Sequence, residues 1–160
     1  MSKPSVRLPE AEFVRRTFII KEADLPPQVR MTKRSLLRWF ALSSGWISEQ
    51  ESRQTILDVL DTLLYFHVSK KASPTVGEII QYVKEKTGEE LSEKLLRYHL
   101  KRLTDSQFLI RDKQHYKFNP APDAEPGDVV ASYHYWVTQN VHKSTLNIEN
   151  ALTELTRTYL

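Results

Sequence analysis

The sequence predicts a mainly α chain with one small β-hairpin, an α+β fold. Two observations predict it. Three stretches between residues 51 and 105 place apolar residues at helical spacing, the second and third with their own start or stop signals. Directly after them, two short aromatic and β-branched runs flank a polar tip. A further stretch from residue 128 has no strong helix breaker and reads as a long helix to about 158.

In the first fifty residues, 12–20 (EFVRRTFII) partly alternate and are rich in Phe, Val and Ile, which suggests a short strand. After Pro26-Pro27, Thr32 is placed to cap a helix over 33–43. Leu36, Leu37, Phe40 and Ala41 lie on one side of that helix, with Lys33, Arg34 and Arg38 elsewhere. Trp39 and Trp46 flank a break at Ser43-Ser44-Gly45 and are expected to pack on the body.

A longer amphipathic helix follows over about 51–68, its stripe formed by Ile56, Leu57, Val59, Leu60, Leu63, Leu64 and Phe66. Ser73 followed by Pro74 reads as a cap and first-turn proline for a helix over 75–86. Val76, Ile79, Ile80 and Val83 face inward there, and Gly88 is the terminating glycine. Ser92 caps a third helix over 93–105. Residues 108–111 (FLIR) and 115–118 (HYKF) form the hairpin around Asp112-Lys113-Gln114. Ile110, Tyr116 and Phe118 are expected on its inner side. The run 120–127 (PAPDAEPG) separates this body from the last helix. The organisation is therefore an arm (1–50), a central domain (51–119) and a C-terminal helix (128–160).

Three helices and a hairpin joined by short connections is the element order of a winged helix-turn-helix. The 93–105 helix carries the functional argument. At 100 degrees per residue, Leu96, Leu100 and Leu103 fall on one side with His99 beside them. Lys94, Tyr98 and Lys101 gather on the opposite side, with Arg97 on the flank. A cationic helix face with an aromatic in it suits the major groove of duplex DNA, which admits one helix. Arg97 has the forked guanidinium that can pair with guanine O6 and N7, whereas Lys94 and Lys101 suit phosphate or single guanine contacts. Tyr98 offers a hydroxyl to phosphate or a ring face to a thymine methyl. Arg102 and Ser92 are assigned to the DNA backbone; Glu93 would repel phosphate unless it accepts from a cytosine amino group. On the hairpin, Arg111, Lys113, His115 and Lys117 are expected to position the duplex rather than read it.

The stretch 96–103 (LRYHLKRL), followed by Phe108-Leu109-Ile110-Arg111 and Tyr116-Lys117-Phe118, resembles the recognition helix and wing of ArsR-like winged-helix repressors and similar archaeal regulators. The resemblance covers about 65 of the 160 residues. It implies a homodimer on a roughly palindromic operator, with Lys94, Arg97, Tyr98, Lys101 and the wing cations at the DNA. Three departures stand out. The connection 87–91 is longer and more acidic than a tight helix-turn-helix turn. The metal-sensing cysteines of the metalloregulatory branch are missing, and the arm has no counterpart.

Charge and composition fit this reading. The net charge of +3 hides an uneven distribution: residues 1–48 and 94–117 each carry +5, whereas 119–160 carry −3. The absence of cysteine excludes disulfides, thiolate metal sites and cysteine nucleophiles. Five histidines show no close metal spacing, and with four glycines there is no phosphate-cradling loop or other catalytic frame. No enzyme, metal or cofactor is expected. The N-terminus lacks the apolar core of a secretory signal, and no apolar run reaches membrane-spanning length, so the expected setting is the cytoplasm, at the nucleoid of a prokaryote or one of its mobile elements.

In the last helix, Val141, Thr145, Ile148, Leu152, Leu155 and Tyr159 repeat at alternate steps of four and three, a heptad seam of under three heptads. It is expected to form a dimer, the competing arrangement being packing back onto its own body. The aromatics Tyr133, Tyr135 and Trp136 are expected to fill the joint with the body. The leading function is sequence-specific double-stranded DNA binding by a dimeric transcriptional regulator. A protein-interaction scaffold, or a replication or partition protein of a plasmid or virus, remain the alternatives.

Overall fold

The computed structural model describes residues 7–50 and 55–160. In the arm, a short 3₁₀ turn at Pro9–Phe13 gives way to extended, unpaired chain, and a second turn spans Pro27–Met31. The strand expected over 12–20 does not form. Its Phe13, Val14, Ile19 and Ile20 are largely exposed, because the segment lies along the end of a helix and finds no second strand to pair with among the described residues. That helix, α1 (Lys33–Ser43), starts where the sequence placed it, with the Thr32 hydroxyl accepting from the Ser35 N–H. Leu37 and Ala41 are buried, while Leu36 turns outward.

The arm is fastened to α1 by a few specific contacts. The Lys21 N–H donates to the Ser43 carbonyl at 2.8 Å, and the Ser43 hydroxyl returns a bond to the Lys21 carbonyl. The Trp39 indole donates to the Asp24 carbonyl. Gly45 closes the end of α1 at φ +82°, with the Ile19 side chain packed where a Cβ would stand, 2.7 Å away. Only glycine satisfies both constraints.

Helix α2 (Thr55–Leu64) is the spine of the body. Ile56, Leu57, Val59, Leu60 and Leu63 are all buried. It runs on into a π-type turn, Tyr65–Lys70, closed by Lys71 in the left-handed region. The expected first turn of this helix, at 51–54, lies outside the described residues. Helix α3 (Val76–Thr87) packs on α2 through Ile79 and Val83 and ends at Gly88, φ +78°. Its cap differs from expectation. Thr75, not Ser73, caps it, in a reciprocal box with Glu78. The Ser73 and Pro74 carbonyls are engaged elsewhere: they receive the His115 ring and the Tyr116 N–H, so the chain stays extended for two further residues.

A charged joint fixes α1, α2 and α3. Asp61 on α2 receives Lys33 from α1 at 3.3 Å and Lys86 from α3, and Arg34 reaches Asp58 at 3.4 Å. Burial pushes the Asp61 carboxyl up, but hydrogen bonds from Lys86 and Lys33 outweigh it and hold the group below its ordinary range. For Asp58 burial wins over Arg34, and its carboxyl is raised. Part of the positive charge of the first 48 residues is therefore paired with carboxylates of α2.

Helix α4 (Glu93–Asp105) lies against α2 and α3 with Leu96, Leu100 and Leu103 buried. Strands β1 (Leu109–Asp112) and β2 (His115–Phe118) pair antiparallel around a two-residue turn in which Lys113 has φ 58°. A single bridge from Thr75 to His115 extends the ribbon. The register sets Leu109 opposite Phe118 and Arg111 opposite Tyr116, so those four share the inner face. Ile110 lies opposite Lys117 on the other face and is 37% exposed, which corrects the inward placement expected for it.

Asp128 caps α5 (Val129–Tyr133), a π-type turn follows at His134–Thr138, and α6 (Gln139–Thr158) completes a continuous rod. Tyr133 sets its ring edge-on to Phe40 and Phe108, and Val137 is buried. The Trp136 indole donates to the Pro120 carbonyl, with Tyr135 packed against its ring. Beyond Val141 every residue of α6 is exposed. The rod leaves the body after Val141, the first seam residue, which rests on the core; the seam from Thr145 onward does not pack back on it. The protein is thus mainly α with one small two-stranded sheet.

Candidate nucleic-acid interface

The site is built on α4. Ser92 ends the preceding extended segment, and its hydroxyl accepts from the Leu95 N–H at 3.3 Å. That makes Ser92 a structural cap whose oxygen is already engaged. From this start the helical period turns the three leucines and His99 into the core. Glu93, Lys94, Arg97, Tyr98 and Lys101 face solvent, Tyr98 with 57% of its surface free.

The cations of this face are not bare. Arg97 holds Glu93 with both Nε and Nη2, at 3.1 and 3.0 Å, and Lys101 holds Asp105 at 2.9 Å. Each pair joins side chains one helical turn apart in solvent, where such pairs are worth about 0.2–1 kcal/mol. A bidentate contact with a base is worth about 1–3 kcal/mol. An incoming polyanion can therefore exchange these partners without a large penalty. Glu93, the awkward residue at the helix start, has a definite role in the free protein: it holds the Arg97 guanidinium over the first turn.

The hairpin and α4 meet in a groove of about 380 Å³ lined by Thr75, Glu93, Arg97, Arg111 and Gln114. Arg97 and Arg111 thus open on one concavity. Arg111 spans the ribbon end, with Nε donating to the Lys113 carbonyl at 2.8 Å and its guanidinium 5.9 Å from the Tyr116 ring centre. Lys113 stands exposed at the tip, and Lys117 is half-buried on the outer face of the ribbon. His115 is exposed but tied down, its Nδ1 lying 2.8 Å from the Ser73 carbonyl. Sequence spacing did not associate Gln114 and Thr75 with Arg97, because that proximity depends on a contact 42 residues apart in the chain.

Arg102 occupies a different position from the other cations. It is half-buried, its guanidinium 5.4 Å from the Trp46 ring and 5.7 Å from the Tyr98 ring, and Nη2 donates to the Trp46 carbonyl at 3.4 Å. It links the exposed face of α4 to the chain that follows α1. Among the described residues, no group of three or more His, Asp or Glu side chains could hold a metal ion, and no helix is long and apolar enough to cross a membrane.

Comparison with known protein families, with characterised proteins and with solved structures finds no match for this chain.

Proposed function

We propose that the chain is a winged-helix protein that binds double-stranded DNA sequence-specifically, with α4 in the major groove, and that it acts as a homodimeric transcriptional regulator. The observation that carries this reading is the division of α4. Leu96, Leu100 and Leu103 are buried, while Lys94, Arg97, Tyr98 and Lys101 are exposed. A single helix that projects cations from a rigid body beside a basic ribbon matches the width of the major groove, about 12 Å. In this arrangement Arg97 reads a guanine edge. Lys94, Lys101, Arg111 and Lys113 hold phosphates, and Tyr98 packs on a thymine methyl or a sugar. His115 and Ser92 shape the ribbon and the helix start. The projecting α6 supplies the second copy, setting two recognition helices near one DNA turn apart, ~34–36 Å.

Fluorescence anisotropy on genomic duplex fragments over a range of salt concentrations tests the reading. Arg97→Ala is expected to weaken the preferred site by about 1–3 kcal/mol and to level its advantage over other sequences. Lys113→Ala is expected to weaken all sequences alike and to reduce the salt slope by about one. If both variants bind as the unaltered chain does, the assigned face is wrong. If the unaltered chain has no affinity for duplex at low salt, the function is wrong.

A further inference from the structure

At the C-terminal end of α4, the arm passes the end of α1 and borders a half-open cavity of about 520 Å³. Arg15, Arg16, Phe18, Trp46, Arg102 and Tyr133 are among its lining. Its volume falls in the range of small-molecule sites, roughly 300–1,000 Å³, and it joins apolar walls to a few polar groups as such sites do. Its charge is one-sided. Three guanidinium groups line it against one carboxylate, Asp105, and that carboxylate is ion-paired with Lys101.

Two buried donors on lining residues have no acceptor among the described residues: Nη1 of Arg16 and Nε1 of Trp46. Buried donors are nearly always satisfied in folded proteins, because leaving them dry costs most of a hydrogen bond. The other two tryptophans show the contrast, since both indoles donate to backbone carbonyls, of Asp24 and Pro120. An orphaned indole N–H and an orphaned guanidinium N–H, beside aromatic walls and surplus positive charge, describe a receptor for one planar anion carrying an apolar body.

We infer that the cavity between the arm, Trp46 and the C-terminal end of α4 binds a small aromatic monocarboxylate, its carboxylate held by Arg16 and the Trp46 indole and its ring against Phe18 and Tyr133. A dianionic phosphate fits less well, because most of its oxygens would face Phe18, Ile19 and Val137. The site touches the recognition helix through Arg102, which lines the cavity and also lies over Tyr98. A carboxylate in the cavity draws Arg102 toward it and away from the Tyr98 face. Occupancy therefore weakens DNA binding, and by linkage DNA weakens the ligand by the same factor. This coupling rests on the DNA reading; binding of the ligand does not.

Isothermal titration of the full chain without DNA tests the site, using phenylacetate as probe, with phenylacetamide, its uncharged counterpart, and inorganic sulfate as controls. Saturable binding of phenylacetate is expected, with the amide and sulfate each weaker by about tenfold or more. Arg16→Met is expected to lower phenylacetate affinity by about tenfold or more; Trp46→Phe, which keeps an aromatic ring and removes the N–H, by a smaller factor. Absence of saturable binding up to about 10 mM overturns the assignment, as does amide binding equal to that of the acid. Equal binding by sulfate overturns the aromatic part, and an unchanged affinity in both variants overturns the assigned donors. A parallel anisotropy titration reads the coupling. Should the chain bind no DNA, that titration is blank while the calorimetry still decides the site.

Discussion

Asp61 shows how one residue ties chemistry to stability. Its carboxyl sits between Lys33 and Lys86 and is held below its ordinary range despite burial. A carboxylate with a depressed folded pKa contributes stability that is complete above its unfolded value and is lost as pH falls through the folded one. Asp61→Asn is therefore expected to cost about 1–3 kcal/mol at neutral pH, toward the lower end because Lys33 is well solvated. The deficit should shrink in strong acid, and thermal melts of the two chains between pH 7 and 2 check it. Asp58 works in the opposite sense. Burial raises its carboxyl, so its ionised form opposes folding at neutral pH, and only the difference between the two chains isolates Asp61. Gly45 is the second residue on which the arm depends. Gly45→Ala combines a strained φ with a Cβ set 2.7 Å from that of Ile19. It is expected to destabilise by more than about 1 kcal/mol and to release the arm, read as faster amide exchange at Lys21.

At the level of elements, what the sequence disclosed depended on whether local chemistry or distant pairing decides the structure. The starts of α1 and α4 and the end of α3 were legible because Thr32, Ser92 and Gly88 act on their own backbone within one turn. The α4 face was legible for the same reason, since helical periodicity alone separates Leu96, Leu100 and Leu103 from Lys94, Tyr98 and Lys101. Three features were not legible. The 12–20 segment has strand composition, but nothing in its own residues says whether a partner strand exists. Ile110 was assigned by hydrophobicity, whereas the Leu109–Phe118 register decides its face, and a one-residue shift in parity inverts a strand. The cap of α3 was assigned to Ser73 because Pro74 follows it, yet the hairpin claims the carbonyls of both. This last correction makes a sharp prediction. Thr75→Ala should cost about 1 kcal/mol through loss of the capping box, while Ser73→Ala should change little, because its backbone rather than its hydroxyl is in use. Chemical denaturation of the two variants separates these outcomes.

The whole molecule poses one remaining energetic question, which is what the projecting rod does. Twenty residues of helix extend about 30 Å, and isolated helices of this length are marginal in water. Ile148, Leu152 and Leu155 are each more than half exposed along it, at 66%, 59% and 52%. Full burial of such a side chain is worth about 1.5–3 kcal/mol, so covering the remaining half of six of them across a dyad yields roughly 5–9 kcal/mol. Association costs an estimated 4–15 kcal/mol in lost freedom. These magnitudes nearly cancel, so the expected dimer is reversible and concentration-dependent, and a duplex carrying two half-sites should drive its formation. Sedimentation equilibrium should show the 18.7 kDa chain moving toward twice its mass as concentration rises, and at lower concentration when the duplex is added. Leu152→Glu should abolish that rise. It should leave the melting of the body unchanged, because no residue of α6 beyond Val141 is covered by it, and should shorten the footprint on DNA to one half-site. A chain that stays monomeric both at hundreds of micromolar, roughly the range such a weak dimer needs, and on the duplex would show that the seam serves something other than a second copy.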